Sequence, residues 1–121
     1  MSWGKILDPW QVEFYSDHRN RCPVKEFLDG LPEEESAKAS HQIDLLELLG
    51  IYIGREIARP LSGHNPLWEL RPFPNRIIYF LHTGRRFVLL HGFKKAKKKK
   101  TQEHIKKAEK RMNIFLEEEN G

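Results

Sequence analysis

Between Leu67 and Phe93 the chain carries three apolar runs separated by two turn signals, and few folds accommodate that pattern. Leu67–Arg71 is the first run, and the Pro72-Phe73-Pro74-Asn75 segment that follows holds two prolines, which cannot donate to a sheet ladder. Arg76-Ile77-Ile78-Tyr79-Phe80-Leu81 is rich in β-branched and aromatic residues, and Thr83-Gly84 makes a second turn. Phe87–Phe93 is the third run. The spacing predicts a three-stranded antiparallel meander. Its second and third strands are apolar at successive positions, so both of their faces need cover from helices or a partner.

The flanking segments supply that cover. Trp10–Tyr15 alternates apolar and polar residues, which places Trp10, Val12 and Phe14 on one face of an N-terminal strand. Pro23 suits the first turn of a short helix that turns Phe27 and Leu28 inward and ends near Gly30. Pro32 and Glu33-Glu34-Glu35 favour the start of a second helix, because carboxylates there meet the positive end of the helix dipole. Its apolar stripe runs through Ala39, Ile43 and Leu46, broadened by Leu45, Leu48 and Leu49, until Gly50 and Gly54 stop it. Pro60, Gly63 and Pro66 mark a loop. A terminal helix follows with Thr101 as its cap and Ile105, Ala108, Met112 and Phe115 along one face. The expected architecture is α+β: a small antiparallel sheet, made of the N-terminal strand plus the meander, with helices packed on one face. A chain of 121 residues supports one core, so residues 1–121 read as a single domain. Residues 1–9 form an N-terminal extension, 94–100 a lysine-rich loop and 101–119 the C-terminal helix.

Charge is distributed unevenly. Residues 1–93 carry 11 Lys and Arg against 12 Asp and Glu, whereas residues 94–121 carry 10 against 5. Six of the seven residues from Lys94 to Lys100 are lysine, interrupted by Ala96. A near-neutral body with one concentrated cationic segment points to a polyanion bound at a defined place, with a solvated lysine loop as the plainer explanation. No stretch approaches a membrane span, and Met1-Ser2-Trp3-Gly4-Lys5 lacks the apolar core of a signal peptide. The lone Cys22 excludes an internal disulfide. These features together predict a cytoplasmic protein.

Familiar catalytic motifs are missing: the sequence has no P-loop, no paired-glycine dinucleotide fingerprint, no HExxH and no GxSxG. Its six histidines have no metal-ligand spacing, and Glu69 is the single acidic residue of the meander, so neither metal nor cofactor is expected. What remains is a set of cations on or beside the sheet, Arg71, Arg76, Arg85, Arg86, Lys94 and Lys95, with His91 and Tyr79 among them. Arg71 closes one strand and Arg76 opens the next across a tight turn, so both guanidinium groups can share a site. Cleaving RNA without metal needs deprotonation of a 2′-hydroxyl, stabilisation of a phosphorane and protonation of the leaving 5′-oxygen. Arginine and lysine serve the second task, and histidine, tyrosine or a depressed lysine the others. The plainer assignments are edge charges for the arginines, a hydrogen-bonded core histidine for His91, and packed aromatics for Tyr79 and Trp68.

The order of Leu67-Trp68-Glu69-Leu70-Arg71-Pro72, Arg76-Ile77-Ile78-Tyr79-Phe80 and Val88-Leu89-Leu90-His91-Gly92-Phe93, followed by lysines and a helix, resembles the RelE/ParE toxin superfamily. Its nearest branch is the HigB-like, phage-derived toxins of type II toxin–antitoxin systems. The resemblance spans residues 10 to about 112 in element order and 67–95 in motif. It implies a RelE-like fold, a cognate helix-turn-helix antitoxin, and ribosome-dependent, metal-independent cleavage of mRNA. It also implies a catalytic set of Arg71, Arg76, His91 and Lys95, with the arginines on phosphate and transition-state charge and His91 or a lysine on proton transfer. Lys94, Lys97, Lys98, Lys99, Lys100, Arg85 and Arg86 are then expected to contact RNA or the ribosome. Lys97-Lys98-Lys99-Lys100-Thr101 departs from the family's polar Thr-Gln-Lys-Thr-Pro-like stretch, which predicts a steep loss of RNA or ribosome affinity with salt. Two alternatives stand beside this one: a ParE-like toxin that inhibits DNA gyrase without cleaving nucleic acid, and a non-enzymatic nucleic-acid-binding module.

Overall fold

In the computed structural model, which describes residues 10–120, the three apolar runs pair as the meander they predict. The elements in chain order are β1 (Gln11–Phe14), α1 (Pro23–Asp29), α2 (Glu33–Leu49) and a single 3-10 turn at Gly50–Tyr52. There follow β2 (Ala58–Pro60), β3 (Trp68–Leu70), β4 (Asn75–His82), β5 (Arg86–Lys94) and α3 (Lys98–Asn120). The expected N-terminal extension, residues 1–9, lies outside the described residues. None of the described helices is long and apolar enough to cross a membrane.

The mixed α+β class matches the expectation, and three details of the sheet differ from it. The sheet has five strands in the order β1-β5-β4-β3-β2. The additional strand, β2, falls where the sequence reads as loop, and it pairs Arg59 with Glu69 and Pro60 with Trp68. Its proline is tolerated because β2 is an edge. Secondly, β1 pairs with β5 in parallel, Val12 opposite Phe87 and Phe14 opposite Leu89, so the sheet is mixed. Parallel neighbours require a long crossover, and the whole run from α1 to β4 provides one.

Thirdly, helices cover both faces rather than one. Val24 and Leu28 of α1 and Ala39 and Leu46 of α2 pack with Leu70, Ile77, Tyr79, Phe87 and Leu89. Ile105 and Ala108 of α3 pack on the other face with Ile78, Phe80, Val88, Leu90 and Phe93. Successive residues of β4 feed opposite cores, so a layer on one side alone would leave half of these side chains in water.

Two glycines allow close approaches. Gly50 ends α2 at φ 56°, and a Cβ there would lie 2.0 Å from the Trp10 indole. At Gly92 a Cβ would meet the Phe27 ring at 2.5 Å, so α1 sits against bare β5 backbone. Leu48 and Leu49, expected in the α2 stripe, are exposed, and Trp68, expected as core, is 36% exposed. The C-terminal helix begins at Lys98, three residues before its expected start; Thr101 lies within the first turn, its backbone N–H on the Lys97 carbonyl and its Oγ1 donating to the Ala96 carbonyl.

Candidate functional site

Strand alternation gathers Arg59, Glu69, Arg71 and Arg76 on the α3 side of the sheet, at the end where β3 turns into β4. Arg59 lies directly opposite Glu69 in the β2–β3 ladder, and the Arg71 N–H extends that ladder to the Ile57 carbonyl at 2.8 Å. The Glu69 Oε1 sits 3.7 Å from Arg71 Nε and 3.8 Å from Arg76 Nε. These separations are too long for tight, saturating hydrogen bonds, so guanidinium N–H groups remain available. Burial raises the Glu69 pKa against the lowering pull of Arg76, Arg71 and Arg59. Burial is also the first cause of the lowered Arg76 pKa, followed by repulsion from Arg71. Arg76 is buried at 7% exposure yet lines a groove of about 210 Å³ with Leu61, Glu69, Phe93, Lys95, Ala96 and Thr101. One carboxylate shared among three arginines, with a lysine beside them, leaves this groove net positive. Among the described residues no three His, Cys, Asp or Glu side chains come together.

The structure sets Arg71 and Arg76 around Glu69, places Lys95 with Glu69 and Arg76 on the groove lining, and adds Arg59 across the ladder from Glu69. Arg59 escapes sequence reading because its strand is three residues long and ends in proline. Glu69 is visible in sequence only as a lone potential metal ligand; its role as the counter-charge of the arginines needs the register.

His91 is placed differently from the expected proton-transfer role. A bulge opens where Ile78 pairs with His91 and Tyr79 with Leu89, leaving Leu90 unopposed. The extra residue turns both Leu90 and His91 toward α3. Arg111 of α3 fills the opening: its Nη1 donates to the Leu90 carbonyl at 3.0 Å and to His91 Nδ1 at 2.8 Å. Because Nδ1 accepts, Nε2 carries the His91 proton and donates to His104 Nδ1 at 2.7 Å. The His104 ring stacks on Phe93 at 4.3 Å. Burial first, then Arg111, His104 and Lys107, lower the His91 pKa to about 3. With both nitrogens engaged, His91 is the hydrogen-bonded core histidine of the plainer assignment, neutral at physiological pH. Arg111 and His104, which sequence reading passed over, complete this chain. Tyr79 packs on the α1–α2 face, edge-on to Phe87, and burial raises its pKa.

The remaining cations divide into three places. Lys94 ends β5 on the α2 side, 3.8 Å from Glu35, which also accepts from the buried Asn75 at 2.9 Å. Arg85 and Arg86 lie at the opposite end of β5, roughly 26 Å away at about 3.3 Å per residue. Arg85 stands 4.2 Å over the Trp10 ring, and Arg86 bonds both Glu13 and Glu119, the latter at 2.7 Å. A strand's length therefore separates Arg85 and Arg86 from the lysine run. Lys97 precedes α3, and Lys98, Lys99 and Lys100 form its first turn, with Lys100 3.3 Å from Glu103.

Comparison with known proteins agrees with this fold. An archaeal RelE–RelB complex from Pyrococcus horikoshii OT3 superposes with a TM-score of 0.52 at 20% identity, covering 73% of this chain and 97% of that one. A mutant of the E. coli toxin RelE in its free state gives 0.54 at 17% identity, covering 81% of this chain and 96% of that one. At such identities the likeness is one of fold. No curated protein sequence matches the chain. Residues 26–113 match the family described as phage derived protein Gp49-like (DUF891). With most of its length inside that match, the chain belongs to the phage-derived Gp49-like family, and its fold is of the RelE type.

Proposed function

We propose that the protein is the toxin of a type II toxin–antitoxin pair and that it cleaves mRNA on the ribosome at the Arg59–Glu69–Arg71–Arg76–Lys95 groove. The observation that carries this reading is the sharing of one glutamate by three arginines in a groove that also holds Lys95. Arg76 and Arg71 bind the scissile phosphate and stabilise the charge that grows on its oxygens in the phosphorane. Glu69 is the carboxylate in that groove, and the burial that raises its pKa makes it a better proton acceptor for the 2′-hydroxyl. The Lys95 ammonium donates a proton to the departing 5′-oxygen. His91 acts through position alone, holding His104 against Phe93 at the groove's wall.

The archaeal neighbour is a RelE–RelB complex, and we extend the pairing to this chain as a helix-turn-helix antitoxin that silences it. The basic groove favours RNA cleavage over gyrase inhibition, which needs no assembled charge of this kind. Purified protein in a cell-free translation reaction, with mRNA 5′ ends mapped, tests the reading. Cuts in register with codons that vanish without ribosomes support it. Intact mRNA beside inhibited gyrase would sink it.

A further inference from the structure

We propose that a second groove, between the Tyr15–Pro23 segment and α3, binds a backbone phosphate and the adjoining nucleoside of single-stranded RNA. The proposal rests on the RNA-directed reading above. Its lining is Tyr15, Asp17, His18 and Pro23 on one side and Lys107, Lys110, Arg111 and Ile114 on the other, around about 350 Å³. It shares no lining residue with the Glu69–Arg76 groove.

Arg111 is the built part of this site. Its Nη1 is fixed by the Leu90 carbonyl and His91 Nδ1, so the guanidinium is anchored through one nitrogen, while Arg111 also lines the groove. An anchored, half-buried guanidinium is already desolvated and oriented, and its planar N–H groups match phosphate oxygens. Lys107 and Lys110 stand exposed on the same helix face, one turn apart, as additional point charges. Asp17 is the opposing charge on the lining, and it is satisfied within its own turn: Oδ1 accepts the N–H groups of Arg19 at 2.8 Å and Arg21 at 3.0 Å. Glu118 also acts electrostatically on Tyr15. Three cations against one internally bonded carboxylate leave the lining positive. Tyr15, Pro23 and Ile114 supply an apolar wall against which a ribose or base can rest. Lys107 and Arg111 lie roughly 9 and 15 Å beyond Thr101 along the α3 axis, at about 1.5 Å per residue.

The test measures fluorescence anisotropy of a short 2′-O-methyl RNA, which binds but cannot be cleaved, across a salt series. The double variant Lys107→Gln/Lys110→Gln removes two exposed cations without touching the core. It should lower the slope of log affinity against log salt by about 1.4, so that with curves converging at about 1 M salt the variant binds about 25-fold more weakly than the unaltered protein at about 0.1 M. Lys25→Gln/Lys106→Gln removes the same net charge outside the groove and should change binding less than about twofold. Equal losses in both doubles would show delocalised attraction and overturn the proposal, as would no loss in the first. Retained RNA affinity with lost binding of an acidic antitoxin segment would also overturn it. Because the probe has no free 2′-hydroxyl, the result does not depend on cleavage. A first double that loses the probe in a protein that never cuts mRNA would support this groove and sink the catalytic reading alone.

Discussion

Both ends of β5 gather arginines and offer their charge to solvent very differently. At the Arg86 end, two carboxylates close on one guanidinium and a tryptophan face takes the neighbouring one. At the Lys94 end of the sheet, three arginines divide a single glutamate at 3.7 Å and beyond. The local ratio of arginine to carboxylate separates an ion pair that ties β1 and α3 to the sheet from a groove that still needs an anion. Burial first and then repulsion from Arg71 hold the Arg76 pKa down, and a bound phosphate relieves that repulsion.

The sharpest way to break this contrast is to remove Arg76. Arg76→Gln should reduce the rate of mRNA cleavage in cell-free translation by roughly 10²–10³-fold, the usual cost of one transition-state donor. Glu69→Gln should cost a comparable factor, and it should flatten the acid limb of the pH–rate profile, since a carboxylate that must be ionised loses activity as pH falls through its raised pKa. A thermal melt accompanies both, because Arg76 is buried; a folded Arg76→Gln protein with full activity would remove the groove from the chemistry.

The Arg111–His91–His104 chain predicts a pH effect on stability instead. The folded-state pKa of His91 is about 3 against an ordinary value of 6.5, so between those values the unfolded chain binds a proton that the folded one excludes. Stability must therefore fall as pH drops from about 6.5 toward 3, by a few kcal/mol in total. The His104 pKa is lowered as well and contributes in the same sense. His91→Gln cannot titrate, so urea titrations of the variant should show a shallower loss over that window. An unchanged slope would place the acid sensitivity elsewhere.

How much of this was legible in the sequence follows from what sequence periodicity encodes. The meander, α1 and α2 were visible because Leu67–Phe93 concentrates strand formers between proline and glycine turns and because Pro23 and Pro32 mark helix starts. The second helical layer was implied by Ile77 beside Ile78 and Tyr79 beside Phe80, which no one-sided packing can bury. The direction of β1 was not legible, since alternation gives the face of a strand and says nothing of its orientation. Arg71 and Arg76 stood out because a tight turn joins them. His91 misled: strict alternation along β5 would put it on the α1–α2 face, and one bulge residue, Leu90, carries it to α3. Nothing local in Leu89-Leu90-His91 announces the bulge; Arg111, twenty residues on, holds it open.

At the far end of β5 a smaller effect is expected. Arg86→Gln should leave RNA affinity within about twofold, because its charge is already matched by Glu13 and Glu119, and should lower stability by at most about 1 kcal/mol for a partly exposed pair. A loss of mRNA cleavage in Arg86→Gln as large as that of Arg76→Gln would erase the distinction between the two ends.

The smallest effect concerns the first turn of α3, where Lys98, Lys99 and Lys100 occupy the positive end of the helix dipole and no acidic residue offsets them. Like charge at that position destabilises a helix, and Lys100 alone of the three is paired, with Glu103. Lys98→Glu should therefore raise stability by about 0.3–1 kcal/mol, read as a rise of a few degrees in Tm. The same substitution should weaken RNA binding and flatten its salt dependence. Stability and binding moving in opposite directions would show that these lysines are held against the helix's own electrostatics for the sake of a polyanion, which is the same trade that crowds three arginines around Glu69. A variant that gains stability and binds RNA unchanged would reduce the run to a solvated surface and leave the groove to act without it.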